Sequence, residues 1–376
     1  MMHITILGTG FAALTAVRTL RKRNPNAHIT VISPHKSLVY LPSIIWIPAR
    51  IRQGEELRVD LSRFFERMNV QFIEGTVAQV SQGGRTVTLT DGQSITNDGL
   101  IIASGGRFIK KLPGIEHVIT PCEGIEAAEK IRDRLEQMSG GTLAIGFSGN
   151  PKEPSAMRGG PMFEFLFGID TLLRQQGRRD KFELIFFNPA EAPGKRLGPQ
   201  VPARIVELMG KRNIKTHLGH KIKGFEQNKV ITEGGEIEAD LILFMPGMTG
   251  PAWLSDSDLP ASEGGLIKAD EFARVVGLEK TYVAGDAGSF PGPEWQAKQA
   301  HAADIQAEVA AVNLLAELSG AQPQAKIKHE LICIIDTLTH GIFVKRTEKG
   351  TTLLPPCRLM HWAKMAFEWW YLRQYR

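Results

Sequence analysis

Met2-His-Ile-Thr-Ile-Leu-Gly-Thr-Gly-Phe-Ala-Ala-Leu-Thr-Ala-Val17 is the stretch on which the fold turns. A short apolar run ending at Leu7 meets Gly8 and Gly10, then continues as an alanine- and leucine-rich helical pattern. Strand, tight turn and helix follow one another with the spacing Gly-x-Gly-x-x-Ala. Gly8 and Gly10 let the backbone turn sharply and approach a pyrophosphate, whose charge rests on the free N–H groups of the helix N-terminus. Phe11 and Ala12 open that helix, and Ala13 in the last slot keeps helix and strand close. The motif lies after a strand and before a helix, where a dinucleotide site requires it.

Residues 28–33, His-Ile-Thr-Val-Ile-Ser, read as a second strand. In a common dinucleotide fold that strand ends in an acid for the ribose. Ser33, a weaker acceptor, stands there instead. Residues 41–46, Leu-Pro-Ser-Ile-Ile-Trp, form a loop with a proline and an aromatic ring suited to lie over a flat cofactor. Residues 56–68 read as a helix, 70–75 as a third strand, and 77–90 as a hairpin about Gly83-Gly84. Residues 98–106 are an apolar strand ending in Ala103, Ser104 and Gly105, small enough to let the chain pass close to a bound cofactor.

A second unit begins near Pro113. Residues 142–149 form another strand running into a glycine turn, but the turn continues as Asn-Pro-Lys-Glu-Pro-Ser-Ala-Met-Arg-Gly-Gly-Pro161. Its helix starts only near Met162, with Glu164 in the first turn, where a carboxylate suits the dipole. A loop this long and proline-stiffened is a poor pyrophosphate cradle, which argues against tight nicotinamide dinucleotide binding. Strands follow at 182–187 and 240–247, with helix over most of 195–212. Residues 281–287, Thr-Tyr-Val-Ala-Gly-Asp-Ala, then bring Gly285 and Asp286 to a strand end, where a carboxylate accepts from ribityl hydroxyls. The stretch after Ala287 offers a helix N-terminus, and residues 296–318 read as a long alanine-rich helix.

At 376 residues the chain is long enough for two domains. A hydrophobic content of 43% and a charged content of 23% are ordinary for a soluble globular protein, and a formal charge of +5 without a basic block gives no nucleic-acid signature. The expected start has no secretory signal pattern, and no apolar run reaches spanning length. Cys122, Cys333 and Cys357 are too widely spaced for a zinc pattern, so no metal is expected; any chemistry they have is redox or nucleophilic. The last residues, 359–376, gather three tryptophans with Phe367, Met360 and Met365, punctuated by Lys364, Arg373 and Arg376. Such a helix suits a membrane–water interface; packing on the body or on a sister subunit is the alternative, which leaves a homo-oligomer open.

The first glycine turn, residues 98–106 and residues 282–287 together resemble the two-dinucleotide-fold flavoproteins, and within them the sulfide:quinone oxidoreductase branch with the flavocytochrome c sulfide dehydrogenase flavoprotein. Leu41-Pro-Ser followed by Trp46 is similar to that branch's Phe-x-Pro-Ser-x-x-Trp loop. Gly159-Gly-Pro-Met-Phe-Glu-Phe165 is similar to its Gly-Pro-Ala-x-Glu-Phe segment. Leu331-Ile-Cys-Ile-Ile-Asp336 resembles its C-terminal cysteine strand, and the aromatic tail resembles its membrane-binding end. The resemblance implies an α/β fold of two Rossmann-like dinucleotide-binding domains plus a C-terminal amphipathic helical tail. The FAD-binding domain would take residues 1–112 and 251–320, the second Rossmann-like domain 113–250, and the cysteine strand and tail 321–376. FAD, held non-covalently, would contact Gly8, Gly10, Phe11, Ala12, Ala13, Ser33, Pro42, Val77, Ala103, Ser104, Gly105, Gly285, Asp286 and Lys298. Cys333 would be the sulfur that forms a persulfide or attacks the flavin, Cys122 an accessory cysteine, and Lys298 a cation at the flavin's polar edge.

One departure stands out. The family's cysteine just before the Gly-Pro-x-x-Glu-Phe segment is absent, and the place reads Met157-Arg158-Gly159. The resemblance therefore implies an enzyme that passes electrons from sulfide or a related small sulfur species to quinone at a membrane surface, peripheral there and otherwise cytoplasmic. Two rivals remain: a type II NADH:quinone oxidoreductase, and a flavoprotein of the same fold that has lost sulfide chemistry and serves electron transfer or regulation.

Overall fold

The computed structural model describes residues 2–376. Its first sheet has five parallel strands in the order Thr281–Val283, Gly99–Ile102, His3–Leu7, His28–Ser33, Val70–Glu74. The four strands other than Val70–Glu74 are rich in isoleucine, valine and leucine and mostly buried, as parallel strands covered on both faces require, while Val70–Glu74 is a half-exposed edge. Helix α1 (Phe11–Arg23) leaves the first strand directly. It packs against a late helix of residues Ala300–Leu318 through Ala12, Ala13 and Ala16 on one side and Ala303, Ala307 and Ala310 on the other. Small side chains bring the two backbones close, so the N-terminal turn and the end of the sheet formed by residues 281–283 meet.

Helix α2 (Ser62–Arg67) covers only the second half of the helix expected over residues 56–68. A 3-10 turn at Gly54–Leu57 leads into strand Arg58–Asp60, which pairs antiparallel with Ser37–Val39. Leu57, Val59 and Leu61 are buried while Arg58 and Asp60 are exposed, an alternation that a strand satisfies and a helix does not.

Helices α3 (Ile125–Gln137), α4 (Gly160–Gln175) and α5 (Val201–Lys211) flank a second sheet. Its four parallel strands run in the order Ile214–Leu218, Phe182–Asn188, Gly141–Phe147, Leu241–Met245. Phe147, Phe163 and Phe186 lock α4 onto it, with the Phe147–Phe163 rings edge-to-face at 5.5 Å. The helix expected over 195–212 is divided, because Gly198 takes φ +148° and Pro202 starts α5 afresh. Helix α6 (Ala300–Leu318) begins later than the residue 296 expected from composition, after an extended Gln299.

A third, antiparallel sheet of Glu330–Asp336, Gly341–Thr347 and Gly350–Leu353 carries Cys333, and α7 (Arg358–Arg373) packs across it. The helix turns an unusual face inward. His361, Glu368, Tyr371 and Leu372 are buried, whereas Leu359, Trp362, Phe367, Trp369 and Trp370 are 52–64% exposed. Among the described residues, no helix is long and apolar enough to cross a membrane.

Candidate active site

The N-terminal turn fits a pyrophosphate group. Gly8 holds φ +108°, and a Cβ there would lie 2.4 Å from the Ala103 carbonyl oxygen, so only glycine lets the ends of the paired strands His3–Leu7 and Gly99–Ile102 approach this closely. Its N–H donates to the Ile32 carbonyl at 2.7 Å. Gly10 is extended, has open space where a Cβ would stand, and precedes α1 without any side-chain cap. The first N–H groups of α1 are therefore left for a ligand. Gly285 sits against Ala12 and Ala303, which brings Asp286 to the starts of both α1 and α6. Gly105, at φ +74°, also faces open space beyond Ala103 and Ser104.

Other expected contact residues surround this turn with varied occupations. Ser33 is buried, and its Oγ lies 3.2 Å from the Thr9 hydroxyl. Pro42 opens the 3-10 segment Leu41–Trp46, in which the buried Ser43 hydroxyl has no protein partner among the described residues. Val77 starts a half-buried strand, Val77–Ser81. Phe11 packs against Tyr40 and against Tyr371 of α7, with ring centroids 5.8 and 5.5 Å away. Lys298 spends its ammonium on the Gly288 carbonyl, 5.6 Å from the centre of the Phe290 ring, and burial brings its pKa down to about 8.

All three cysteines are free thiols. Cys333 projects toward the start of α4, since a Cβ built on Gly160 would stand 4.0 Å from its Sγ. Burial, with the Glu164 carboxylate nearby, pushes the Cys333 thiol up to about 12. Burial likewise pushes Cys122, in the turn Pro121–Glu123, up to about 12, opposed by the charge of Arg158. Both sulfurs are thereby held as thiols at neutral pH, so nucleophilic use of either requires a base or a nearby cation. Cys357 is half-buried at the N-cap of α7.

Sequence reading missed the network beside Cys333. Glu164 accepts from the Asp336 backbone N–H at 2.9 Å and from the Lys364 ammonium at the same oxygen, Oε1. Asp336 accepts from Trp46 Nε1 at 3.0 Å and from the Leu338 N–H at 2.8 Å through Oδ1, and its Oδ2 lies 2.7 Å from His361 Nδ1. Burial raises the Glu164 pKa to about 7 against the pull of Lys364, whereas hydrogen bonds from His361 and Trp46 overcome burial and lower that of Asp336. The group can therefore store a proton on Glu164 near neutrality, next to a thiol. The available signal was the His361–Lys364 spacing, which puts both on one helical face. Arg158, noted only as an absent cysteine, is enclosed and bonded to Asp286.

The pyridine nucleotide-disulphide oxidoreductase family model matches residues 2–150 and 178–307, leaving Cys333 and α7 outside the match. A sulfide-quinone reductase of Aquifex aeolicus is 27% identical over 259 residues, 66% of this chain, and the aligned part spans 59% of that enzyme's length. An NADH dehydrogenase-like protein of Mycobacterium tuberculosis is 22% identical over 303 residues, 76% of this chain and 72% of its own. The solved sulfide:quinone oxidoreductase of Aquifex aeolicus superposes with a TM-score of 0.91 at 22% identity, covering 100% of this chain and 92% of that one. The match covers all strands of the first and second sheets, and the chain belongs to the pyridine nucleotide-disulphide oxidoreductase family of FAD-dependent oxidoreductases.

Proposed function

We propose that this flavoprotein oxidises sulfide, or a related small sulfur species, and passes the electrons to a quinone at a membrane surface. The observation that carries the reading is the placement of α7. Its inner face joins the strand of Cys333 through Lys364–Glu164 and His361–Asp336, while its outer face presents three tryptophans and a phenylalanine to solvent. A sulfur, a proton store and an apolar docking surface thus share one end of the molecule.

FAD, held by Gly8, Gly10, the N-terminus of α1 and Asp286, supplies the two-electron relay when bound. On the donor side, hydrosulfide beside Cys333 gives up two electrons and a proton and leaves as sulfur at the zero-valent level, with Cys122 as accessory thiol, while Lys298 is the cation at the flavin's polar edge. On the acceptor side, the quinone takes two electrons and two protons. Glu164 uses Oε1 for Asp336 N–H and Lys364, which leaves Oε2 to carry a proton near neutral pH. The outward aromatic face anchors α7 peripherally at the lipid interface, where tryptophan rings are favoured. Replacing Trp362, Trp369 and Trp370 together by alanine should weaken binding to anionic vesicles by about tenfold or more, measured by co-sedimentation; unchanged binding would sink the membrane assignment.

The deciding experiment is an anaerobic visible spectrum of the purified protein, titrated separately with sulfide and with NADH. Bleaching by sulfide alone is expected. Bleaching by NADH alone would make the protein an NADH:quinone oxidoreductase. The absence of bleaching by either would favour a second reading, a relative that has lost sulfide chemistry, for which Arg158 at the expected cysteine position is the specific observation.

A further inference from the structure

Residues 290–298 leave the end of the first sheet after Asp286 and lead to α6, yet they pack elsewhere. Trp295 and Ala297, like Cys333, lie against the core that the second sheet shares with Leu331, Ile335 and Val344 of the third. Two arginines hold this strap down. Arg196, in the 3-10 turn Lys195–Leu197, donates from Nη1 to the Gln296 carbonyl at 2.5 Å and from Nη2 to the Pro154 carbonyl. Arg346, on the strand Gly341–Thr347, donates from Nη1 to the Lys195 and Arg196 carbonyls at 2.8 and 2.9 Å. Its guanidinium carbon stands 5.1 Å from the centre of the Trp295 ring, a cation–aromatic contact. At the root of the strap, the Ser289 hydroxyl donates to Glu153 of the long loop at 2.9 Å. Strap, turn, long loop and third sheet thus close on one another beyond the carboxyl ends of the strands Gly141–Phe147 and Phe182–Asn188, where an open α/β sheet ordinarily receives its ligand.

Register ties this closure to Cys333. The strand Glu330–Asp336 pairs antiparallel with Gly341–Thr347, so that Cys333 opposes Val344 and Leu331 opposes Arg346. Directly opposed residues, and residues two apart on one strand, put their side chains on the same face. Arg346 therefore shares a face with Cys333, displaced from it by two residues, roughly 7 Å along the strand. On the same sulfur the start of α4 closes in, since a Cβ on Gly160 would stand 4.0 Å from Cys333 Sγ.

We propose that Trp295, pinned by Arg346 and Arg196, is the size-selecting gate of the donor side, admitting small sulfur species to Cys333 and excluding bulky thiols and dinucleotides. This deepens, and rests on, the sulfur-oxidising reading above. Selection of this kind needs no specific recognition of the donor. A molecule of one or two heavy atoms slips past a ring that a larger one has to displace.

The test compares methyl and benzyl methanethiosulfonate on the FAD-loaded protein, reagents with one reacting group and different bulk. Modification of Cys333 is followed by peptide mass, each rate taken relative to that of a free cysteine peptide. In the wild type the methyl reagent should modify Cys333 and the benzyl reagent should lag far behind. Trp295→Ala and Arg346→Ala should each shrink that preference by about tenfold, as loss of one desolvated cation–aromatic contact permits, and Trp295→Phe, which keeps a ring, by less. Equal relative rates in the wild type, no modification of Cys333 by either reagent, or an unchanged preference in both alanine variants overturns the proposal. If Trp295→Ala fails to retain flavin, Arg346→Ala decides; if neither retains it, the wild-type preference does. A preference that the variants shrink, without bleaching of the wild-type flavin by sulfide, would leave the gate standing and remove the sulfide reading. Sulfide bleaching with a preference that neither variant alters would do the reverse.

Discussion

The first parallel sheet passes to its helix through residues 8–10, whereas the second takes residues 148–159 to make the same connection. Both turns leave the end of a buried central strand, and both open at the start of a helix. In the short turn, glycines hold the backbone where its own N–H groups face outward, with open space beyond Gly10. In the long one, the Asn150 amide donates to the Met248 and Gly264 carbonyls at 2.9 and 3.0 Å, and its oxygen accepts from the Lys152 N–H at 3.0 Å. The loop is thereby tied to the body, and Pro161 begins α4. One turn leaves backbone donors facing open space, and the other delivers a side chain, Arg158, toward Asp286 at the end of the first sheet. Equivalent places in a repeated scaffold acquire different chemistry through turn length alone.

This contrast can be broken at several points. If the long loop and α4 form a platform for sulfur chemistry, Cys333→Ser should slow sulfide bleaching of the flavin by about a hundredfold or more while flavin content stays unchanged; an unaffected rate would move the chemistry elsewhere. Gly8→Val places a β-branched residue at φ +108° with its Cβ 2.4 Å from the Ala103 oxygen. The flavin-to-protein absorbance ratio should fall below about a tenth of wild type, since strain of this kind costs on the order of 1–3 kcal/mol before the clash is added; full loading would mean the turn does not cradle the cofactor. Asn150→Ala strips the long loop of two buried bonds and one part-buried bond and should cost about 2–3 kcal/mol in denaturant unfolding, yet leave NADH without effect on the flavin spectrum. A gain of NADH bleaching would show that this asparagine alone had closed the second site.

The smallest effect concerns pH. Glu164 titrates at about 7 in the folded chain, well above the usual carboxylate range, because burial disfavours its charge. A raised carboxyl binds its proton more tightly when folded, so the stability it lends is complete at low pH and is lost as pH rises through about 7. Glu164→Gln cannot ionise, and between pH 5 and 8 it should gain on wild type by on the order of 2 kcal/mol. Parallel unfolding curves at both pH values would show that Lys364 cancels the burial cost.

What the sequence disclosed was local chemistry. The Gly8–Gly10 turn, Gly285–Asp286 and the cysteine strand each declare themselves within a few adjacent residues, because backbone demands of that kind are written in neighbours. Only the first part of the helix expected over 56–68 is a strand, although the alternation of Leu57, Val59 and Leu61 was present, since helix-forming glutamates and arginines on either side masked those three residues. The Glu164–Lys364 and Arg158–Asp286 pairs were illegible for another reason. Their partners lie 200 and 128 residues apart; the packing of α4 against the third sheet and α7 brings the first pair together, and the approach of the loop before α4 to the end of the first sheet brings the second.

The inward stripe of α7 and the turn after it has one more consequence. His361 meets Asp336, Lys364 meets Glu164, Glu368 meets Arg52 at 2.8 Å, Tyr371 meets Asp304 at 3.3 Å, and Tyr375 meets Arg18 at 3.4 Å. These anchors come from the third sheet, α4, the loop before α2, α6 and α1, so docking of the helix demands contacts of very long sequence separation. Until those segments have assembled, the helix has nothing to hold it in register. Docking of the inner face thereby fixes the direction in which the exposed aromatic face points, and ties that direction to five separate segments of the body.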